Sequence, residues 1–157
     1  GCPSAFDGFL LHTSLATLSL RMKKHSENAL EIAKYLETNP SVEWVSYPGL
    51  ASHPQHDLAK QYLKDGCGGM MAFSIKGGLE AGRKFLDGLD LIGHMANLGD
   101  SRTLIIHPAS TTHSQLSKDQ REAAGITDGL LRLSVGIENI EDILEDIITA
   151  LNKATQK

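Results

Sequence analysis

Leu15, Leu18, Met22, His25, Ala29, Ile32 and Leu36 recur in alternating steps of three and four. That spacing places them on one face of a long helix. Lys23, Lys24, Glu27, Glu31 and Lys34 fall off the stripe and are free to face water. Thr38-Asn39-Pro40 ends the helix, because Pro cannot continue it. Val42–Tyr47 then reads as a strand of β-branched and aromatic residues, followed by a Pro48-Gly49 turn. A short helix is expected over 53–64, broken at Asp65-Gly66. Met70–Ile75 reads as a second strand. Leu79, Gly82, Leu86 and Leu89 set a helix at three-four spacing. Thr103–His107 reads as a strand stopped by Pro108. Ser117-Lys118-Asp119-Gln120 has the capping-box form and predicts a short helix to Gly125. Leu130–Val135 is the last strand.

Asn139 caps a final helix with Ile140, Ile143, Leu144, Ile147, Ile148 and Leu151 on its buried face. Glu141 and Asp142 at its start, with Lys153 and Lys157 at its end, match the helix dipole. About four strands mixed with four or five helices, without strict alternation, predict an α+β fold with helices layered on a sheet. No glycine-rich phosphate loop, repeat or low-complexity segment is present. Pro40 is the one candidate boundary: residues 1–39 form an N-terminal segment and long helix, and residues 40–157 an α+β domain.

Composition narrows the function. The 157 residues suit one domain or a little more. Leu, Ile, Val and Phe make up about a quarter of them, above the level of disordered chains. A net charge of −4 argues against a nucleic-acid binder, which needs a basic surplus. No stretch has the length of a membrane span. Cys2 and Cys67 are too few for a disulfide framework. A soluble, reducing, cytoplasmic setting is expected.

Arg132 interrupts an apolar strand. Alternation puts Arg132, Ser134 and Gly136 on one face and Leu131, Leu133 and Val135 on the other, core-facing side. It reads either as a solvated arginine or as a carboxylate clamp, since a guanidinium grips a carboxylate through two parallel hydrogen bonds. The polar stretch from Asn97 to His113 reads as ordinary loops, a small-molecule site, or a metal site through His107 and His113. The metal reading lacks a close third ligand. His53 and His56 likewise lack partners. His25 reads as a satisfied, half-buried histidine. Cys67, with no neighbouring base, reads as a structural thiol. Met70 and Met71 read as core.

Several segments together carry a resemblance. They are Thr17–Met22, His25, Asn28-Ala29, Val45–Leu50, Asn97-Leu98-Gly99-Asp100, His107–Ser114 and Leu131–Glu138. In this order they resemble the C-terminal domain of the Cys/Met-metabolism enzymes that depend on pyridoxal phosphate, across nearly the whole chain. Ile75–Phe85, His94–Asn97 and Thr111-Thr112-His113 are most similar to the branch that sulfhydrylates O-acetylhomoserine. Asn97 stands where many lyases of the family have Ser. Ala5-Phe6-Asp7 and Ser14-Leu15-Ala16 also depart, from Pro-Phe-Asn and Gly-Leu-Glu.

The resemblance implies the small domain of a fold-type I enzyme, with about four mostly antiparallel strands. It implies that Arg132 binds the substrate α-carboxylate, with Asn97 as its partner and Thr112 close by. It implies a pyridoxal-phosphate-dependent transferase making homocysteine or methionine from O-acetylhomoserine and a sulfide or thiol. The family's Ser-x-Thr-Lys cofactor motif, phosphate cup and stacking tyrosine do not occur in this sequence. No catalytic, cofactor-binding or metal residue is therefore expected in this chain. The expected partners are the amino-acid substrate, an N-terminal cofactor domain and further copies of the whole enzyme. On this view the isolated chain is inactive and exposes Leu10, Leu11, Leu15 and Leu18. The competing expectation is a stand-alone, non-catalytic interaction domain without the cofactor lysine.

Overall fold

The computed structural model describes residues 1–155. The chain begins with α1 (Ala5–Leu15), a helix separate from the long one. Its start is a capping box: Ser4 Oγ accepts from the N–H of Asp7, and the Asp7 carboxylate accepts from the N–H of Ser4. Hydrogen bonds that the carboxylate accepts from the Ser4 hydroxyl and the Ser4 N–H lower the Asp7 pKa. The family departure at Ala5-Phe6-Asp7 thus supplies a helix cap. After a break at Ala16-Thr17, α2 runs from Leu18 to Thr38. Arg21 holds the break by donating to the Ser14 carbonyl at 2.7 Å and to Thr17 Oγ1 at 3.3 Å.

The remaining elements follow the predicted order. They are β1 (Val42–Ser46), α3 (His56–Tyr62), β2 (Met70–Ile75), α4 (Gly78–Asp87), β3 (Gly93–His94) and β4 (Leu104–Ile106). After them come a 3₁₀ turn (Pro108–Ser110), α5 (Lys118–Ala123), β5 (Leu130–Ser134) and α6 (Ile140–Thr155). Lys157, expected at the end of α6, lies outside the described residues. The predicted capping box at Ser117 and Gln120 is formed. The sheet has five strands, one more than the pattern suggested, in the order β1-β2-β5-β4-β3. All pairs are antiparallel except β3 with β4.

One sheet face carries the core. Met71, Phe73 and Ile75 of β2 and Leu131 and Leu133 of β5 point there. They meet Ala29, Ile32 and Leu36 of α2, Phe85 of α4, and Ile143 and Ile147 of α6. The Phe73 and Phe85 rings meet edge to face, with centroids 6.0 Å apart. Burial of these side chains removes apolar area from water and drives the three helices onto the sheet. Met71 is core as expected, while Met70 lies half-buried toward the other face.

Polar anchors fix α2 to the sheet. His25 Nδ1 donates to the carbonyl of Val135 at 2.6 Å. Asn28 donates to the carbonyls of Gly136 and Glu138. These contacts explain why two polar residues sit on a buried helix face.

The apolar stripe is only half covered. From His25 onward its members are buried, but Leu15, Leu18 and Met22 are exposed, and so is every residue of 1–20. That end of α2 projects beyond the sheet. Ile148, expected on the buried face of α6, is also exposed. It follows the buried Ile147 directly and so turns away from the contact line.

Candidate functional site

The face of the sheet opposite the core helices carries a row set by strand register. Ser46 pairs with Ala72, Ala72 with Arg132, and Arg132 with Ile106. Residues directly across adjacent strands share a face. The guanidinium of Arg132 is thus flanked by the small side chain of Ala72 on one side and by Ile106 on the other. A cleft of about 460 Å³ opens over this row. Ala72, Ala96, Ile106, Pro108, Leu130 and Arg132 line it, together with Thr112 and His113.

Arg132 differs from most arginines of the chain in its partners. Arg83 pairs with Glu80, Arg102 with Asp100, and Arg121 with Asp128. Hydrogen bonds from Arg102 hold the Asp100 carboxyl down to about 2, so that pair stays ionised. Among the described residues, no carboxylate lies within ion-pair distance of Arg132. Its one hydrogen bond runs from Nη2 to the backbone carbonyl of Asn97 at 3.3 Å. A half-buried arginine with guanidinium donors left over is suited to an incoming carboxylate.

The structure brings Arg132, Asn97 and Thr112 to one region, each in its own way. Asn97 meets Arg132 through its main chain. Its side-chain Oδ1 accepts from the N–H of Leu98 at 2.9 Å, which leaves the Nδ2 donor open. Thr112 lines the cleft, with its hydroxyl 2.9 Å from His113 Nδ1. His113, which ends the stretch read as a possible small-molecule site, also lines the cleft, although it is not among the expected substrate residues. The signal for it was the Thr111-Thr112-His113 triplet, directly after a strand that pairs with β5.

The loop carrying Asn97 is pinned at both ends. Asp146 of α6 accepts from the N–H groups of Asp90, Leu91 and Ile92 at 2.8, 3.1 and 2.9 Å. Ser134 Oγ accepts from the N–H of Gly99 at 3.1 Å. Glu138 accepts from the N–H and hydroxyl of Thr103, and that hydroxyl oxygen accepts from the N–H of Gly136. Gly136 packs so tightly against the Ser101 carbonyl and Glu138 that a side chain there would collide with both.

The histidines of the weighed metal readings make hydrogen bonds within the chain. Both ring nitrogens of the buried His107 are engaged, Nδ1 with Ser110 Oγ and Nε2 with the Asp128 carbonyl, each at 2.8 Å. His56 Nδ1 donates to the Pro48 carbonyl, and His53 Nδ1 accepts from the N–H of Gln55. No group of three metal-binding side chains occurs among the described residues. Cys67 and Cys2 are free thiols. Cys67 sits half-buried beside Tyr47, whose hydroxyl donates to the Gly68 carbonyl and whose pKa is raised, chiefly by burial. A larger groove of about 1070 Å³ runs between the start of α2 and α3. None of the expected site residues lines it.

The fold and cleft together define an α+β domain that presents one unpaired arginine on the open face of its sheet. Comparison with known proteins places it more closely. The family described as Cys/Met metabolism PLP-dependent enzyme matches residues 1–152, and the chain belongs to that family. It is 51% identical over 154 residues to homocysteine synthase of Schizosaccharomyces pombe, covering 98% of this chain and 36% of that protein. It is 48% identical to O-acetyl-L-homoserine sulfhydrylase 1 of Thermus thermophilus, covering 93% of this chain and 35% of that protein. A crystal structure from Campylobacter jejuni, described as an O-acetylhomoserine (thiol)-lyase with N'-pyridoxyl-lysine-5'-monophosphate, superposes with a TM-score of 0.85. Its identity is 44%, and the match covers 93% of this chain and 35% of that one.

The chain thus spans about a third of the length of the curated relatives it matches. Its fold is the small α+β domain of a fold-type I enzyme. No lysine lines the Arg132 cleft. The residues there fit a carboxylate and do not fit the covalent attachment of pyridoxal phosphate.

Proposed function

We propose that this chain is the C-terminal domain of an enzyme that replaces the γ-substituent of O-acetylhomoserine, and that it supplies the substrate-carboxylate site. In the overall reaction acetate leaves Cγ and sulfide, or a thiol, adds there, giving homocysteine or methionine. Pyridoxal phosphate, held elsewhere in the complete protein, supplies the electron sink for that chemistry. The residues of this chain bind and orient. Arg132 grips the α-carboxylate with two parallel hydrogen bonds, Asn97 Nδ2 adds a third donor, and Thr112 borders the site. Fixing the carboxylate turns the rest of the substrate toward the reacting centre, which is a positioning contribution.

The observation that carries this reading is the unpaired, half-buried Arg132 over a small cleft. In the family members named above, the substrate would bring the missing carboxylate. Residues 1–39, on this reading, lead from a larger cofactor domain. The exposed apolar side chains of α1 and early α2 are then its contact surface, and the complete enzyme is a cytoplasmic homo-oligomer. The chain by itself holds no cofactor and has no activity.

The test is Arg132→Ala in the full-length enzyme. Loss of a bidentate, charge-assisted contact raises KM for O-acetylhomoserine about 100-fold, equivalent to about 3 kcal/mol. KM for sulfide stays unchanged. A variant with unaltered KM for the amino acid would remove Arg132 from the site.

A further inference from the structure

His107 is the most enclosed polar side chain near the cleft, with no exposed surface. It follows β4, and strand alternation turns its ring away from Ile106 and Arg132, toward the helix-covered face. There the ring lies flat against Gly82 of α4. A Cβ at that glycine would fall 2.5 Å from Nε2 and 2.6 Å from Cε1, so only glycine admits the ring. Nε2–H donates to the Asp128 carbonyl, which precedes β5 and its Arg132. Nδ1 accepts from the hydroxyl of Ser110, in the 3₁₀ turn that leads to Thr112 and His113. The His107 carbonyl accepts from Thr111 Oγ1 at 2.8 Å, and the N–H of His113 donates to Pro108 at 2.9 Å. One imidazole therefore ties together the strand that carries Arg132 and the segment that forms the opposite wall.

We infer that His107 is a positioning residue for the carboxylate cleft, holding the 108–113 wall in register with Arg132 from behind the sheet. The inference rests on the carboxylate reading of that cleft. It requires a proton on Nε2, which faces the Asp128 carbonyl, while the Ser110 hydroxyl, a donor and an acceptor, can pair with Nδ1 in either of its states. Burial lowers the His107 pKa, as do Arg83 on α4 and His94 on β3, while the Asp128 carbonyl and carboxylate act the other way. Asp128 is itself paired with Arg121 at 2.6 Å. The ring is therefore neutral at neutral pH.

The experiment compares His107→Leu, His107→Gln, Ser110→Ala and Arg132→Ala in the full-length enzyme, with KM and kcat measured from pH 5 to 8. Leu removes both hydrogen bonds. KM for O-acetylhomoserine is expected to rise about tenfold while kcat stays within about twofold, the scale of one lost buried hydrogen bond. Gln keeps the donor to Asp128 and restores KM to within about threefold. Ser110→Ala loses one hydroxyl only, so it carries the test if the Leu variant fails to fold, and its KM rises about threefold. A raised KM in Arg132→Ala beside unchanged KM in the His107→Leu or Ser110→Ala enzyme overturns the inference alone. An unchanged KM in Arg132→Ala overturns the carboxylate reading, and the inference with it.

Discussion

Asn97 meets Arg132 through its backbone carbonyl, 3.3 Å from Nη2, while its own side-chain oxygen is turned back onto the N–H of Leu98. The side chain's acceptor is occupied and its donor is open. This asymmetry separates two substitutions that otherwise look alike. Asn97→Ala loses one donor to the substrate carboxylate and the local Leu98 contact. Asn97→Asp keeps the Leu98 contact, loses the donor, and adds a negative charge beside Arg132. The expected order of KM in the full-length enzyme is Asn97→Ala up by about tenfold, then Asn97→Asp above it, with Arg132→Ala highest. Initial rates against O-acetylhomoserine concentration read this order. An Asp variant that binds as well as wild type would mean that the Asn97 side chain does not face the carboxylate.

A second expectation concerns Asp146, whose carboxylate accepts three consecutive backbone N–H groups at 90–92. Those groups lead directly into β3 and the loop that ends at Asn97. Asp146→Ala leaves the buried Ile92 N–H without a partner and frees the loop. The cost is about 3 kcal/mol, since each buried group left unsatisfied costs about 1–3 kcal/mol. A urea melt measures the loss. Hydrogen exchange locates it, with faster exchange expected at 90–92 and little change in β2.

The helices and long strands were legible because their patterns are local. The three-four spacing of His25, Ala29, Ile32 and Leu36 and the alternation through Leu131, Arg132 and Leu133 follow from backbone periodicity alone. So did the placing of Arg132 on the face of its strand opposite the core. Two other features were harder to read. Strand β3 is two residues long and contains Gly93, so it has no periodicity. It exists through pairing with Leu104 and Ile105 and through Asp146, which lies 54 residues beyond Ile92 in sequence. Helix α1 had a legible start, since Ser4-x-x-Asp7 is a capping box, but the apolar stripe drew attention to Leu15 instead. The row of Ala72, Arg132 and Ile106 requires the strand order, which no local pattern contains. The same holds for His107, whose ring contacts come from α4, the 3₁₀ turn and the residue pair before β5.

The exposed helix α1 has its own consequence. Phe6, Phe9, Leu11 and Leu15 are 67%, 61%, 60% and 62% exposed, with Leu18 and Leu20 continuing the surface. Large apolar side chains exposed in this number around one helix promote association in water. The chain expressed alone is expected to self-associate with rising concentration. Replacing Phe9, Leu11 and Leu15 together by Gln should return it to a monomer, with α2 and the sheet unchanged by circular dichroism. Light scattering that finds a strict monomer for the wild-type chain at high concentration would contradict this.

Stability should also depend on pH through His107. Burial holds its folded-state pKa below the ordinary value of 6.5. Above that value the ring is neutral in both folded and unfolded chains, and stability is at its full level. As pH falls through about 6.5, the unfolded chain binds a proton that the folded ring does not. Stability therefore falls with falling pH, by up to about 1.4 kcal/mol per pH unit, until the lowered folded value is reached. Below that point both states carry the proton and the loss levels off. Carboxylate titration contributes to the same melts at lower pH, so the informative quantity is the difference from His107→Gln, which has no ionisable group at this position. The difference in unfolding free energy between wild type and His107→Gln is expected to be flat above pH 7 and to move against the wild type between pH 6.5 and 5. A difference that stays constant across that range would mean the folded ring accepts its proton as readily as the unfolded one.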